Sequence, residues 1–271
     1  MHTLTELTSV FEGIASMRIA QIKNQVLQSQ NFFDRLWEMY TKIRVGEVFN
    51  FGRSEEEEKN IIDKELFIVI TAEGGFSGDI DQKIITYMLQ NYDKEKNEII
   101  VIGHHGAIQL SQRGVSFKKY FKLPTKDQNI NVTPIINEVQ SYKSTMVFYQ
   151  TYISLTVQDV KKISLSKVVE DNGKNAKKVD EFISENNYIF EPSTFAVVDH
   201  LEQSMMTIAL SQVILESKLA QYASRFQAMS AAHTRANETQ DEYKLMYNRA
   251  RRAIKDERLK EIINGMRKAH A

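Results

Sequence analysis

The chain has 271 residues, 42% of them hydrophobic, and its 35 basic side chains balance 35 acidic ones. This length and composition allow a sizeable core in one large domain or two modest ones. The zero net charge provides no global field toward nucleic acid or an anionic membrane. The absence of cysteine excludes disulfides, thiolate metal sites and thiol nucleophiles, in keeping with a reducing compartment.

The sequence carries no targeting or membrane signal. The longest apolar run, at residues 66–70, is too short to cross a bilayer. Glu6 and Glu12 interrupt the N-terminal residues, which lack the continuous apolar stretch of a signal peptide. We therefore expect a cytoplasmic protein that associates with a membrane only through its partners.

An apolar repeat near the N-terminus predicts a first long helix. The repeat runs through Leu4, Leu7, Phe11, Ala15, Ile19, Ile22, Val26, Ser29, Phe33, Leu36, Tyr40 and Ile43. From Ile22 onward its alternating steps of four and three place these side chains along one seam of a coiled coil. The additional four-residue steps before Ile22 indicate a stutter that relaxes the supercoil.

The periodicity changes after an acidic run at residues 55–58, which we interpret as a solvated linker. Residues 65–71 then predict a buried parallel strand, followed by a glycine-rich turn at residues 74–78. A helix over residues 80–92 and further strands over 98–103 and 147–155 are expected next, with Pro192 closing the unit. This order predicts a Rossmann-like α/β domain inserted between two long helices.

The C-terminal part predicts one very long helix, because no glycine occurs between Gly173 and Gly265. A heptad repeat supports it through Leu201, Met205, Ile208, Gln212, Leu215, Leu219, Tyr222, Phe226, Met229, His233, Ala236, Gln240, Tyr243, Tyr247, Ala250 and Ile254. A helix from about residue 198 to about residue 268 would be on the order of 100 Å long. Such a rod would project from a globular domain of this size.

The predicted fold class is therefore α/β, with a long antiparallel coiled coil of the N- and C-terminal helices around an inserted Rossmann-like domain. The expected boundaries are 1–54 for the first shaft helix, 55–194 for the globular insert and 195–271 for the second shaft helix. A helical hairpin packed inside a bundle is the alternative interpretation of the two repeats. The length of the second helix argues against that alternative.

Two features of the insert suggest chemistry. Gly74, Gly75 and Gly78 follow a buried strand, where some α/β proteins bind a nucleotide phosphate. Their spacing fits neither the dinucleotide fingerprint nor the P-loop, so a structural turn that uses Gly75 and Gly78 is the favoured interpretation. His104 and His105 could suggest a metal, but no carboxylate lies at a metal-site spacing, and a loop is favoured.

No Ser/His/Asp or paired-carboxylate arrangement is evident, so we predict no catalytic residue, cofactor or metal on this chain. Residues 244–271 contain nine basic side chains against three acidic ones, a local net charge of +6. This basic stretch is either a solvated helix face or a surface for an acidic partner. Nucleic acid is a weaker candidate, because no aromatic platform accompanies the charge.

Several short motifs occur in the order found in one known family. The C-terminal segments are Tyr-Asn-Arg-Ala-Arg at 247–251, Glu-Ile-Ile-Asn-Gly at 261–265 and Arg-Phe-Gln-Ala-Met at 225–229. The insert contributes the strand and turn at 68–78, Gly-His-His-Gly at 103–106 and Phe-Glu-Pro-Ser at 190–193. Together they resemble the gamma subunit of F-type ATP synthases over essentially the whole chain.

The resemblance implies a non-catalytic rotor shaft inside a ring of alpha- and beta-type nucleotide-binding subunits, with an epsilon-type or other stalk subunit at the insert. ATP hydrolysis in successive ring subunits would drive this asymmetric shaft round. It implies partner contacts at Arg225, Met229, Tyr247, Asn248, Arg249, Arg251, Arg252, Asp256 and Glu261.

Two segments depart from the family. Residues 18–24 replace its Ile-Thr-x-Ala-Met motif, and residues 251–258 replace its Arg-Gln-x-x-Ile-Thr-x-Glu sequence. Arg251, Arg252 and Asp256 occupy its contact positions, but the chemistry at the last two is altered. A rotor of a specialised F-like ATPase with another mechanical output, and a plain coiled-coil scaffold, are therefore kept as alternatives.

Overall fold

The computed structural model, which describes residues 2–43, 61–124, 130–165, 167, 169, 191 and 193–269, contains two long helices, several shorter helices and a five-stranded sheet. The elements in chain order are α1 (His2–Ile43), β1 (Ile62–Ile70), α2 (Ile80–Leu89), β2 (Asn97–Ile102), α3 (His104–Gln112), β3 (Lys119–Phe121), α4 (Thr133–Gln140), β4 (Tyr142–Tyr152), β5 (Gln158–Ser164) and α5 (Thr194–Ala269). The acidic run at 55–58 and Pro192 lie outside the described residues.

The sheet has the order β3-β2-β1-β4-β5 and is parallel except for β5, which pairs antiparallel with β4. Residues 66–70 of β1 are buried on both faces, as expected for a central parallel strand. Leu66, Ile68 and Ile70 pack in one core with α4 and α5. Phe67 and Val69 pack in a second core with α2 and α3. This two-sided burial confirms the predicted α/β class.

The long helices pair antiparallel in a constant register. Thr8 Oγ1 lies 3.1 Å from His233 Nδ1, and the Tyr40 hydroxyl donates to Glu202 Oε1 at 3.0 Å. The residue numbers add up to 241 in the first pair and 242 in the second, so the register does not slip between them. Burial, together with the neighbouring Glu202 carboxylate, raises the pKa of Tyr40.

The predicted seam is correct in its central part. Ile19 and Ile22 of α1 form a buried cluster with Leu215, Leu219 and Ala223 of α5. Near the start of α1 the expected position is wrong, since Leu7 is 52% exposed whereas Thr8 is buried. Thr8 precedes the buried Ala15 by one heptad, so the regular repeat continues through Thr8, Ala15 and Ile22, and the predicted stutter is absent from this part of α1.

The seam of α5 also stops earlier than predicted. Tyr243, Tyr247, Ala250 and Ile254 are all exposed, although they continue the heptad. The register places His2, the first described residue of α1, opposite about position 239 of α5, because both helices rise equally per residue. The apolar repeat therefore outruns the described partner helix.

A second face of α5 contacts the sheet, which the heptad did not predict. Met206, Leu210 and Val213 are buried in the core that contains Ile68 and Ile70. They lie on the side of α5 roughly opposite Leu215 and Leu219, at about 100° per residue. The helix is thus enclosed between α1 and the sheet over this length.

Several details of the insert differ from the expectations. α2 ends at Leu89 rather than at residue 92, and β4 begins at Tyr142 rather than at residue 147. Short elements that the sequence pattern did not separate, β3, β5, α3 and α4, complete the sheet and its two covering layers. His104 and His105 open α3, so the interpretation of this pair as a loop was wrong.

A buried polar cluster lies where the carboxyl ends of β1 and β4 diverge. Asp81, in the first turn of α2, is 3% exposed. Its Oδ1 accepts hydrogen bonds from the backbone amide of Ala72 at 3.1 Å and from Gln150 Nε2 at 3.0 Å, and its Oδ2 lies 3.1 Å from His105 Nδ1. Burial raises the pKa of Asp81, although the Ala72 amide and the charges of His105 and Arg225 act in the opposite direction.

Replacement of Ile22 by alanine tests the helix pairing. Ile22 is fully buried between α1 and α5, so Ile22→Ala should lower the free energy of unfolding by about 3 kcal/mol through lost burial and a residual cavity. Met17→Ala, at a position 59% exposed on the same helix, should change it by less than about 0.5 kcal/mol. Urea unfolding of both variants measures the difference, and equal effects would contradict the pairing.

The pKa of Asp81 predicts a pH dependence. This pKa is raised in the folded chain. At pH values just above the ordinary aspartate pKa, the Asp81 carboxyl therefore keeps its proton in the folded state but has released it in the unfolded state. The free energy of unfolding therefore falls as the pH rises through this interval. Asp81→Asn removes the titration, so the stability of the variant relative to the native chain should increase as the pH rises.

The midpoints of urea unfolding, measured for the native chain and for Asp81→Asn between about pH 4 and about pH 7, would follow this relative stability. Asp79→Asn is the matched control, since Asp79 precedes the same helix and its side chain is 67% exposed beside Lys83. The control should not reproduce the trend. A difference between Asp81→Asn and the native chain that stays constant over this pH range would contradict the assignment.

Candidate interaction surfaces of the long helix

The part of α5 that crosses the polar cluster carries a polar seam, which we define as Ser217, Gln221, Ser224 and Arg225. Ser217 Oγ donates to Gln150 Oε1. Gln221 Nε2 donates to Gln150 Oε1 at 3.4 Å and to Ser217 Oγ at 3.1 Å. Through Gln150 the polar seam is therefore connected to Asp81.

The last two residues of the polar seam hold the glycine-rich turn. Ser224 Oγ donates to the carbonyl oxygen of Ser77 at 2.6 Å. Arg225 donates from Nε to Gly75 O at 3.2 Å, and from Nη2 to Gly74 O at 3.4 Å and to Ser77 Oγ at 3.1 Å. Burial lowers the pKa of Arg225 despite the favourable field of nearby Tyr222 and Asp81.

The turn presents carbonyl oxygens to α5, which is the opposite polarity to a phosphate cradle built from backbone amides. Gly78 adopts φ 65°, a conformation that favours glycine. Phe76 also adopts a positive φ of 67°, and its side chain is 62% exposed. Gly75 does not have a positive φ, and an added Cβ there would meet nothing within 4 Å. Its contribution is the carbonyl group bound by Arg225.

The histidine pair belongs to the same edge of the sheet. His105 lies against Asp81, and the backbone amide of His104 donates to Glu73 Oε2 at 3.2 Å. No carboxylate lies at a metal-site spacing in the sequence, but the fold brings Asp81 and Glu73 close to the pair from other segments of the chain. Within the described residues, no group of three or more His, Asp and Glu side chains could hold a metal ion.

The glycines that flank the histidines have a steric role. A Cβ at Gly103, which adopts φ 101°, would lie 2.1 Å from the carbonyl oxygen of Thr71. A Cβ at Gly106 would lie 2.7 Å from Thr71 Oγ1. The start of α3 therefore approaches the end of β1 too closely for any side chain at these two positions.

A second surface is the distal segment of α5, which we define as residues 241–266 and in which every residue is exposed. It contains seven of the residues for which partner contacts are expected, namely Tyr247, Asn248, Arg249, Arg251, Arg252, Asp256 and Glu261. Its large apolar side chains are 40–66% exposed: Tyr243, Leu245, Met246, Tyr247, Ile254, Leu259, Ile262, Ile263 and Met266. Exposed apolar area of this extent is typical of an interaction surface.

The other two residues expected to contact partners, Arg225 and Met229, lie elsewhere. Met229 is only 7% exposed, and Arg225 is bound to the turn. About 40 Å of helix separates Arg225 from Arg252. Seven of the nine residues therefore lie in the distal segment, whereas Arg225 belongs to the polar seam and Met229 is buried.

Charge is concentrated in the distal segment. Between Lys244 and Lys260 there are seven basic residues against two acidic ones. Arg251 and Arg252 lie about 200° and about 300° around the helix from Arg249, at 100° per residue. The three guanidinium groups therefore point in different directions around the axis, although Lys244, Arg251, Lys255 and Arg258 share one face within about 60°.

Sequence reasoning missed Ser217, Gln221, Ser224, Gln150 and Asp81. A usable signal was present in α5, where Met206, Leu210, Val213, Ser217, Ala220 and Ser224 form a second alternation of four and three steps. This repeat changes from apolar to polar at Ser217. Asp81 and Gln150 gave no such signal, because each is a single polar residue brought close only by the fold. Among the described helices none is long and apolar enough to span a bilayer.

Comparison with known proteins agrees with this architecture. A family model described as ATP synthase matches residues 1–268. The ATP synthase gamma chain of Chlorobium phaeobacteroides is 27% identical over 281 residues, covering 96% of this chain and 92% of the relative. The gamma chain of Halothermothrix orenii is 24% identical, with 98% and 95% covered.

Solved structures show the same fold. A chain of the Euglena gracilis mitochondrial ATP synthase, determined by cryo-electron microscopy as an assembly of OSCP, F1 and c-ring, superposes with a TM-score of 0.66. The superposition covers 100% of this chain and 92% of the other at 16% identity, so it shows the shared fold alone. Since the family model spans nearly all of the sequence, the chain belongs to the ATP synthase family, in which its relatives are gamma chains.

Proposed function

We propose that this chain is the non-catalytic central rotor shaft of an F-type rotary ATPase. The observation that carries the proposal is the 76-residue helix α5, whose first half is enclosed by α1 and the sheet and whose distal segment is exposed. Such a helix fits a shaft that is anchored at one end and contacts partners at the other. Family membership over almost the whole sequence supports the same role.

A shaft has to resist bending and twisting. α5 is continuous over about 110 Å, and within it the only glycine is Gly265, close to its end. Between residues 202 and 233 it is braced by α1 in constant register. The packed part also supplies a formed helical nucleus from which the distal segment extends, and extension costs less than nucleation.

The distal segment fits a bearing surface inside a ring. Its guanidinium groups are distributed around the axis, so attraction to acidic loops would persist as the shaft turns. The apolar side chains near its end would exclude water from the contact. Contacts at Tyr247, Asn248, Arg249, Arg251, Arg252, Asp256 and Glu261 are part of this proposal.

The proposed partners are alpha- and beta-type nucleotide-binding subunits in a ring around α5. An epsilon-type or other stalk subunit would bind the insert, for which the domain boundaries 55–194 are retained as a proposal. The complex would lie on the cytoplasmic side of a membrane, which this chain would reach only through its partners. Nucleic acid is not among the proposed partners.

The altered contact sequence supports one further possibility within the same class. Arg252 and Asp256 differ from the residues that the gamma-subunit motif has at these positions, so the ring of this rotor would carry matching changes. A specialised F-like ATPase with a mechanical output other than ATP synthesis fits this departure. A plain coiled-coil scaffold fits less well, because the family model covers residues 1–268 and not the helical parts alone.

Affinity purification of the tagged chain from its native cells would test the proposed function. We expect two related nucleotide-binding subunits in threefold excess over this chain, in agreement with a hexameric ring around one shaft. Recovery of self-associated chain without nucleotide-binding subunits would support the scaffold instead.

Charge reversal in the distal segment tests the bearing. The triple variant Arg249→Glu, Arg251→Glu and Arg252→Glu should fold normally but slow ATP turnover by the assembled complex at least about tenfold, because repulsion replaces attraction at each site. The matched control reverses three exposed lysines of the insert, Lys94, Lys96 and Lys161, and should leave turnover within about twofold. Equal effects of the two triple variants would contradict the bearing.

The isolated chain should neither bind nor hydrolyse ATP. The turn at residues 74–78 offers carbonyl oxygens to α5, Glu73 adds negative charge, and no Lys-Ser/Thr pair follows. Titration calorimetry with ATP and magnesium should therefore give no binding heat. A micromolar affinity that disappears on replacing Gly75 and Gly78 by alanine would identify a nucleotide site and contradict the non-catalytic assignment.

A further inference from the structure

We propose that the polar seam of α5 fixes the rotational position of the insert on the shaft and transmits torque between them. The inference rests on the proposed rotor function. It assigns positioning roles to Ser217, Gln221, Ser224 and Arg225. The sequence analysis expected a contact only for Arg225, and it expected that contact to be with a partner subunit.

The polar seam lies on the insert-facing side of the helix. Leu215 and Leu219 contact α1 from roughly the opposite side, at about 100° per residue. Ser217 and Gln221 reach Gln150 on β4, whereas Ser224 and Arg225 reach the turn after β1. These two sets of contacts lie on either side of the gap between β1 and β4. Glu216, Lys218 and Gln227 make further hydrogen bonds with Thr151, Pro124 and Thr156.

This gap is the topological switch point of the sheet, because the chain adds strands in one direction from β1 and then places β4 on its other side. Open α/β sheets bind their ligands in the crevice at this point. In this protein Ser217, Gln221 and Ser224 of α5 lie against the crevice, and all three are at least 92% buried. The shaft helix thus occupies the position of a ligand.

The chemistry of these contacts explains why they would resist rotation. Apolar contact is non-directional, so a helix held by apolar side chains alone could rotate slightly with a small loss of energy. Hydrogen bonds depend steeply on distance and angle. A rotation of α5 would leave Gln150 Oε1 buried without a donor, because Ser217 and Gln221 both donate to it, and would incur the desolvation cost of that group.

The contacts also reach deeper than the surface of the insert. Gln150 joins the polar seam to Asp81, whose carboxylate accepts from the Ala72 amide at the end of β1. His105, at the start of α3, lies against the other oxygen of Asp81. A tangential force on α5 would therefore be distributed to β1, β4, α2 and α3, instead of being carried by one loop.

The absence of cysteine from the native sequence allows a direct test on the full chain. Spin labels attached through Glu238→Cys on α5 and Lys94→Cys on the insert, both exposed positions, would report the distance between shaft and insert. The native background should give a narrow distance distribution. The double variant Ser224→Ala and Arg225→Met should give a broader distribution with a shifted mean.

The matched control is Ser230→Ala with Arg235→Met, which makes the same chemical changes on α5 beyond the turn and should leave the distribution narrow. Circular dichroism would verify folding of each variant. Ser224→Ala alone removes only the hydrogen bond to Ser77, so it keeps the test usable if the double variant does not fold. An unchanged distribution in a folded Ser224→Ala, Arg225→Met chain would overturn the proposed positioning role.

Torque is measured in the assembled complex with a bead attached through Lys94→Cys on the insert. The Ser224→Ala, Arg225→Met complex should retain ATP hydrolysis but lose torque on the bead, while the control complex should behave like the native one. Hydrolysis and torque both at native level would overturn the torque role. A native complex that hydrolyses ATP without turning the bead would instead contradict the rotor function, and the spin-label result would still decide the positioning role.

Discussion

The structure depends on α5 being enclosed on opposite sides over one length and exposed on all sides over the next. Between residues 201 and 229 it packs against α1 through Leu215 and Leu219 and against the sheet through Met206, Leu210 and Val213. Beyond residue 240 every described side chain is exposed. One helix therefore supplies both the core of the insert and a projecting rod.

The insert has the layered arrangement of a ligand-binding α/β domain, but its switch-point crevice contains part of its own chain. Ser217 and Gln221 provide the hydrogen bonds that Gln150 would otherwise have to find in water or a ligand. The glycine-rich turn is likewise reversed in polarity, since its carbonyl groups accept from Arg225. A fold that commonly serves catalysis is here joined to a helix, as fold alone does not determine function.

The sequence predicted what depends on local periodicity. The four-three repeats identified both long helices, and the apolar run at residues 66–70 identified the central strand, because such patterns reflect burial of neighbouring residues. The second face of α5 was missed, because its repeat is apolar from Met206 to Val213 but contains serine at positions 217 and 224. The Asp81–His105 contact was not predictable, because it joins residues 24 apart whose proximity depends on the paths of β1, β2 and their helices.

In a rotor, the energy should rise steeply with rotation where the shaft is fixed to its own insert, and only slightly where the shaft turns inside a ring. The side chains of α5 fit both requirements. In the buried part, the directional hydrogen bonds from Ser217 and Ser224 would weaken steeply as α5 rotates. In the distal segment, exposed guanidinium groups at several azimuths make charge attractions that depend only weakly on angle. The change from one regime to the other follows from burial alone, because the same helix continues through both.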